Sequence, residues 1–503
     1  MSELRLGFPG SEKRVEVPAA GEGPVPWDLG TKFAVVRGDH PRQEAPLKVS
    51  GRARYSSDVR FPNLIYARLL GSPYAHAKVK TLDLSKAQAH PGVLYAEDLS
   101  RGGTIRYAGQ AVAGLAAVSE EVLADALALI QVDYEVLPHV VSVEAALKQG
   151  APTVKGKGGN AGRPRVQGRL EGVKAAHEAA DVVVDATYRT QVQTHSCLES
   201  HGCVAKWEGD QLTVWASTQG TFSVRRSLSR ALGVPGKNVR VITEHMGGGF
   251  GSKFGADVWD VFCCKAAKAT KRPCRLMLDR AEEHLAGNRP DSIQRCKFSA
   301  KKDGTLLGAE VRALGTGGVG GGAGVFNPGI YTFQATYSEQ RDVATHASRA
   351  RAFRAPRHPQ GVFALEGMLD ELAEQIGMDP LALRLKNDPH PVRRAQWKRG
   401  AEEIGWSRRK KSGSGVGPLK RGLGLAAATW KHNGRPGSAV LVRISRDGTI
   451  EVRNGAQDIG SGARTLMATL VAEELGCRPD QVQVHLGDTR DPVGPASGGS
   501  TTS

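Results

Sequence analysis

Three glycine-rich segments carry the most specific chemistry in the chain. Met246-Gly247-Gly248-Gly249-Phe250-Gly251-Ser252-Lys253 lies between a strand-like and a helix-like stretch, Gln457-Asp458-Ile459-Gly460-Ser461-Gly462 enters a second helix-like stretch, and Ser497-Gly498-Gly499-Ser500 lies near residue 503. Consecutive glycines let backbone approach a ligand closely, their N–H groups can converge on an anion, and a following helix N-terminus adds partial positive charge. One such turn is an ordinary connection. Three, two of them opening helices, point to a phosphate-bearing cofactor gripped mainly by backbone. Standard nucleotide motifs do not account for them. The phosphate-loop pattern GxxxxGK[ST] does not occur. Gly315-Thr316-Gly317-Gly318-Val319-Gly320 matches the dinucleotide fingerprint but runs into Gly-Gly-Ala-Gly instead of a helix.

A second pattern alternates: His195, Cys197, Glu199, His201 and Cys203 would share one face of a strand. Zinc is one reading. An extended strand spaces such ligands roughly 6.6 Å apart, so a partner segment would have to close the site. The other reading is a strand face lining a pocket or core, with no side-chain metal site.

The elements that must position these residues follow from periodicity. Leu64–Leu70 reads as a buried strand, Glu120–Ile130 as a helix and Ile130–Val136 as a strand. Asp181–Thr190, Leu212–Ser217 and Val239–Thr243 read as strands. Phe222–Leu232 reads as a helix stopped by Gly233, and Asp257–Thr270 as another. Leu365, Met368, Leu369, Leu372 and Ile376 form one apolar helical face closed by Gly377. Val440–Ser445 and Thr449–Asn454 read as strands, and Arg464–Leu475 as a helix ended by Gly476. Gly/Lys/Arg-rich stretches at 150–169 and 410–421 read as linkers.

The chain has 503 residues, 40% of them apolar and 24% charged, which suits several folded domains. Its 62 Gly and 26 Pro stay below the level of roughly a quarter that marks low-complexity disorder. The net charge is +17, and residues 393–421 hold ten Lys/Arg against two Glu. This stretch reads as a solvated loop or a contact for an anionic partner. Without aromatic interleaving or a nucleic-acid motif, nucleic acid is not expected. Seven cysteines without a CxxC pair read as a reduced, cytoplasmic inventory. No apolar run is long enough for a membrane span.

Taken together, the motifs resemble the molybdenum-cofactor-binding large subunit of the xanthine dehydrogenase/aldehyde oxidase family. GRARYSSDVRFPNLIYARLLGSPYAHAKV, YAGQAVAGLAA and VDYEVLP resemble its α/β hammerhead domain. QTHSCLESHGCVAKWEGDQLTVWASTQG, MGGGFGSKFG and ARAFRAPRHPQGVFALEGMLDELAEQIGMDPLALRLKND resemble its first molybdopterin-binding domain. NGAQDIGSGARTLMATLVAEELG and HLGDTRDPVGPASGGSTTS resemble the start of the second. The expected fold class is mixed α/β (α+β). Residues 1–45 would be an arm, 46–150 the hammerhead, 151–180 a linker, 181–408 the first cofactor domain, 409–421 a basic linker and 422–503 an incomplete second cofactor domain.

The resemblance implies a molybdenum–molybdopterin cofactor, in bacteria often a cytosine dinucleotide, with the metal held through the pterin and not by side chains. Gln219 would contact an oxo ligand, and Gly248, Gly249, Phe250 and Gly251 would lie beside the metal. Arg354 would shape the cofactor's surroundings, while Gly460, Ser461, Gly462, Gly499 and Ser500 would hold pterin and phosphate. Phe250, Phe254 and Glu199 would line the substrate pocket. The implied reaction is oxidative hydroxylation of an aldehyde or N-heterocycle with oxygen from water, electrons leaving through [2Fe–2S] and FAD-bearing partner subunits.

Four departures qualify that expectation. The family's general-base Glu lies in a Gly-x-Gly-Glu motif that residues 1–503 do not contain, so no catalytic residue is assigned and the chain alone is expected to be inactive. Phe254 stands where purine-oxidising members carry Glu, which argues against xanthine and for an aldehyde or apolar aromatic substrate. Leu198-Glu199-Ser200 replaces Met/Leu-Glu-Pro, and Arg357 replaces a glycine. The alternative is a non-catalytic binding or assembly subunit of the same family.

Overall fold

The computed structural model describes residues 30–496 except 101, 157, 321, 323, 326–328 and 431–436, together with the strands Ser2–Leu6 and Lys13–Val17. A mixed seven-stranded sheet runs in the order Val239–Ile242, Gln211–Ala216, Gly202–Glu208, Cys274–Met277, Ile65–Gly71, Ala111–Ala117, Val93–Asp98. Its first four strands belong to the region read as the first cofactor domain and its last three to the hammerhead region, so one sheet fuses them. The joint is the short parallel pairing of Cys274 and Arg275 with Ile65 and Tyr66. Helix Val258–Thr270 lies on this sheet, burying Phe262, Cys263, Cys264 and Ala266. The close approach needs Gly114, because a Cβ there would come within 2.4 Å of the Phe262 ring.

A second sheet has the order Val182–Thr190, Ser292–Ala300, Leu306–Gly318, Ala335–Ala344, Arg165–Gly168. Helix His358–Ile376 covers it with the expected stripe of Leu365, Met368, Leu369 and Leu372, and ends at Gly377 in the left-handed region (φ 72°). A smaller unit pairs Leu441–Ile444, Ile450–Asn454 and Val482–Leu486 under helix Ala463–Leu475, with Val452, Ala468, Ala472 and Val482 in its core. It docks on the edge strand Val239–Ile242. Thr243 N–H donates to Gly487 O at 2.7 Å, Thr489 N–H to Val241 O at 3.1 Å, and Arg240 Nε reaches Asp488 Oδ2 at 3.0 Å.

One stretch departs from the sequence reading. The stretch 151–180 is not a plain linker: it holds the strand Arg165–Gly168 and the helix Leu170–Glu178. All four strand residues are exposed and the helix buries only Val173, so neither leaves an apolar period in the sequence. Residues 34–43, within the stretch read as an arm, pack against the three-stranded unit. The Ala34, Val35 and Val36 N–H groups donate to the Glu473 carboxylate at 3.0, 2.6 and 2.7 Å, and Arg42 Nη1 donates to Gly460 O at 2.9 Å. Among the described residues no helix is long and apolar enough to cross a membrane.

Helix His358–Ile376 is anchored by a fully buried cation. Arg384 is 0% exposed and reaches Glu366 and Asp370 at 2.8 Å each, while Tyr331 OH donates to Glu366 at 2.8 Å. Arg384→Met strands the buried Glu366 and is expected to cost about 3 kcal/mol, read as a lowered urea midpoint. An unchanged midpoint contradicts this anchoring.

Candidate functional site

Strands Gln211–Ala216 and Val239–Ile242 run parallel, so the loops leaving them lie side by side at the same sheet end, a common position for ligands in α/β folds. The first loop carries Ser217, Thr218 and Gln219 into helix Thr221–Leu232; the second is the Met246–Lys253 turn. Gln219 N–H and Thr218 OH both donate to Lys253 O, at 2.7 and 2.8 Å, and Gly251 N–H donates to Gln219 Oε1 at 2.6 Å. A Cβ on Gly249 would come within 2.6 Å of that same oxygen, so the turn closes around the Gln219 amide only with glycine there.

Phe250 adopts φ 49°, a left-handed conformation that a bulky residue holds only under strain. Its carbonyl accepts from Arg354 N–H at 2.6 Å, and the Arg354 guanidinium lies 5.2 Å from its ring centroid. The segment opposite is strained too, with Ala355 at φ 55° and Arg357 at φ 76°. Behind it His195 stacks on Phe353 at 4.5 Å and donates from Nε2 to Ala352 O at 2.6 Å, while the Arg289 guanidinium lies 4.7 Å from the Phe353 ring centroid.

The second glycine turn meets the first at helix Thr221–Leu232. Thr221 N–H donates to Gln457 Oε1 at 3.3 Å and Thr221 OH to Gly455 O at 2.7 Å. Gln457 Nε2 and Asp458 Oδ2 are both buried with no hydrogen-bond partner among the described residues. They are a donor and an acceptor on adjacent residues, beside the helix that follows Gln219.

The expected site residues fall into three groups. Gln219, Gly248, Gly249, Phe250, Gly251 and Arg354 come together as one cluster. Gly460, Ser461 and Gly462 form the entry to helix Ala463–Leu475, but the Gly460 and Gly462 amides already donate to Asp458 Oδ1, at 2.8 and 3.3 Å. Gly499 and Ser500 lie outside the described residues; the chain leading to them passes Gly220, where a Cβ would meet Ala496 Cβ at 3.2 Å and Phe254 O at 3.0 Å. Phe254 is half-buried beside this point.

Glu199 is a brace behind the turn: its carboxylate accepts from Gly247 N–H at 2.8 Å, Ser217 OH at 2.9 Å and Ser57 N–H at 3.3 Å. The alternating set does not share a strand face. The strand Gln193–Thr194 ends at once, Ser196 is at φ 46°, and the next strand starts at Gly202. His201 Nδ1 turns instead to Glu283 at 2.6 Å, so the single strand face on which the zinc reading stood is not formed, and among the described residues no three His, Cys, Asp or Glu side chains are grouped as metal ligands. Gln457 and Lys253 were missed as functional side chains. Both lie inside the glycine motifs, whose backbone pattern is the stronger signal.

Residues 159–388 match the molybdopterin cofactor-binding domain, 392–503 a second molybdopterin cofactor-binding domain, and 50–100 the aldehyde oxidase and xanthine dehydrogenase a/b hammerhead domain. The aldehyde oxidoreductase molybdenum-binding subunit PaoC of Escherichia coli K12 is 32% identical over 95% of this chain and 69% of its own length. This chain belongs to the aldehyde oxidase/xanthine dehydrogenase family of molybdenum-binding subunits. The nicotinate dehydrogenase large molybdopterin subunit of Eubacterium barkeri is 30% identical over 71% of this chain and 90% of its own. Quinoline 2-oxidoreductase from Pseudomonas putida 86 shares the fold, with a TM-score of 0.83 at 24% identity over 93% of this chain and 69% of its own.

The residues present fit the family's cofactor. A pterin ring offers amino and amide donors beside ring and carbonyl acceptors, which is the complement that the orphaned Gln457 Nε2 and Asp458 Oδ2 require. Where the family resemblance expects glycine, Arg357 occupies φ 76°. Arg357→Gly should therefore stabilise the fold by about 1 kcal/mol in urea denaturation, and a loss of stability contradicts the strain.

His195 gives the site a pH signature. Burial is the main cause that holds its pKa down at about 4, against the usual 6.5. The unfolded chain takes up the proton first, so this contribution is whole above pH 6.5 and drains away as pH falls towards 4. Between these limits the chain should lose about 3 kcal/mol more stability than a His195→Gln variant, measured by urea denaturation against pH. Equal losses in the two proteins contradict this assignment.

Proposed function

We propose that this chain holds the molybdenum–molybdopterin cofactor of a hydroxylase that oxidises aldehydes or N-heteroaromatic carbons, taking the inserted oxygen from water. The observation that carries the reading is the meeting of Gln219, the Gly247–Gly251 turn and the orphaned Gln457 Nε2 and Asp458 Oδ2 atoms beside one helix N-terminus. When bound, the cofactor would supply a redox-active metal that accepts two electrons from substrate. The chain's part is to grip and orient. Gly251 N–H holds the Gln219 oxygen, which fixes the amide that would contact an oxo ligand. Phe250 and Gly251 would border the metal, and Gln457 and Asp458 would pair with the pterin edge. Gly460, Ser461 and Gly462, with Gly499 and Ser500, would lie along its phosphate-bearing tail.

The apolar Phe254, with the aldehyde oxidoreductase name of the PaoC relative, supports an aldehyde over a purine. The named relatives are bacterial, which favours the cytosine dinucleotide form. Residues 1–503 contain no iron–sulfur cysteine pattern, so electrons would pass to [2Fe–2S] and FAD centres on partner subunits. Seven free thiols support a reducing, cytoplasmic setting.

Residues 1–503 contain no Gly-x-Gly-Glu, so the general base would come from a segment outside them. Benzaldehyde oxidation is therefore expected when residues 1–503 are co-produced with a chain carrying the Gly-x-Gly-Glu segment and the electron-accepting partners, and not from residues 1–503 alone. Turnover by residues 1–503 alone would overturn the division of labour. Failure of a fully metal-loaded, complete complex to oxidise any aldehyde or N-heterocycle would leave the non-catalytic assembly subunit.

A further inference from the structure

A cavity of about 490 Å³ opens where the hammerhead meets the first cofactor domain. The hammerhead supplies Leu69, Pro73 and Tyr107, and the opposite wall supplies Trp259, Leu285 and Arg349. Gln219, Phe250 and Gln457 do not line it, so it is separate from the cradle. Its size falls within the range of small-molecule sites, and a boundary between domains is a common place for one.

The polar groups of the cavity are mostly spoken for. Arg68 pairs with both Asp279 and Glu282, and Arg351 pairs with Asp257. Two groups stand out from this. Arg349 is exposed and makes no ion pair or hydrogen bond among the described residues, and the Tyr107 hydroxyl has no hydrogen-bond partner among them. Burial first, and then the Asp257 carboxylate, raise the Tyr107 pKa, so the phenol keeps its proton as a donor. The lining also includes the apolar residues Leu69, Pro73, Trp259 and Leu285.

We infer that this cavity binds an aryl or alkyl monocarboxylate, its charge on Arg349 and Tyr107 and its apolar body against Leu69, Trp259 and Leu285. One unpaired cation and one neutral donor match the two oxygens of a single carboxylate. A phosphate dianion would meet the carboxylates of Asp257, Asp279 and Glu282 on the same walls. The site shares a wall with the cradle, because Arg351 Nη1 donates to Ser252 O at 2.9 Å, one residue beyond Gly251. Carboxylates are also what aldehyde oxidation releases; that connection rests on the proposed function, whereas binding itself does not.

The test is calorimetric titration of the purified protein, with the partners it carries, using sodium benzoate and benzyl alcohol as probes. Saturable one-to-one benzoate binding is expected, about tenfold weaker in Arg349→Gln and absent in Leu285→Trp, which fills the cavity from a partly exposed position. Benzyl alcohol should bind at least about tenfold more weakly than benzoate. No saturable benzoate binding, equal affinity in Arg349→Gln, or equal affinity for benzyl alcohol each overturns the inference. None of these outcomes depends on turnover, so the proposed function stands or falls separately.

Discussion

A buried ammonium group organises the cradle. Lys253 is 1% exposed, and an ammonium removed from water costs several kcal/mol unless hydrogen bonds replace its hydration. Its Nζ donates to Glu199 O at 2.6 Å, Ser217 Oγ at 2.7 Å and Ser200 O at 3.2 Å. Burial lowers its pKa, while the neighbouring Cys197, Glu199 and Glu283 act in the opposite sense. Satisfying this one group ties the 199–200 segment, the end of strand Gln211–Ala216 and the glycine turn into a single knot. Everything on the ligand side inherits its position from that knot. The Lys253 carbonyl takes Gln219 N–H, the Glu199 carboxylate takes Gly247 N–H, and Gly251 N–H then fixes the Gln219 side chain.

The second half of the cradle is held from outside the sheet. The three-stranded unit docks on the edge strand through Asp488 and Thr489, and residues 34–43 clamp it from the far side through Glu473 and Gly460. The two turns therefore approach each other across helix Thr221–Leu232 because separate elements deliver them there. Strain at Phe250, Ala355 and Arg357 is concentrated where the two facing loops touch, as is common where a ligand surface is built from backbone.

Much of this was legible in the sequence. The helix over 365–376 announced itself by its stripe, and Gly233, Gly377 and Gly476 marked helix ends where all three adopt positive φ. The glycine turns were visible as candidate ligand surfaces because consecutive glycines have few other uses. What stayed hidden was long-range. Nothing local shows that Asp458 takes the Gly460 and Gly462 amides, which removes those two donors from the ligand side. Alternation from His195 to Cys203 mimicked a strand face, yet Ser196 breaks it, and Glu199 faces back to the Gly247 amide. The shared sheet was equally unreadable, since the hammerhead strand Ile65–Gly71 pairs with a strand some two hundred residues away.

The central claim is that these turns hold a molybdenum-bearing pterin. The most direct measurement is elemental analysis of the protein purified from its native host with whatever co-purifies, counting molybdenum, iron and zinc per chain. The account predicts molybdenum approaching one atom per chain, accompanied by iron from the partner and no stoichiometric zinc. Intact, folded protein that carries its partners but no molybdenum would contradict it.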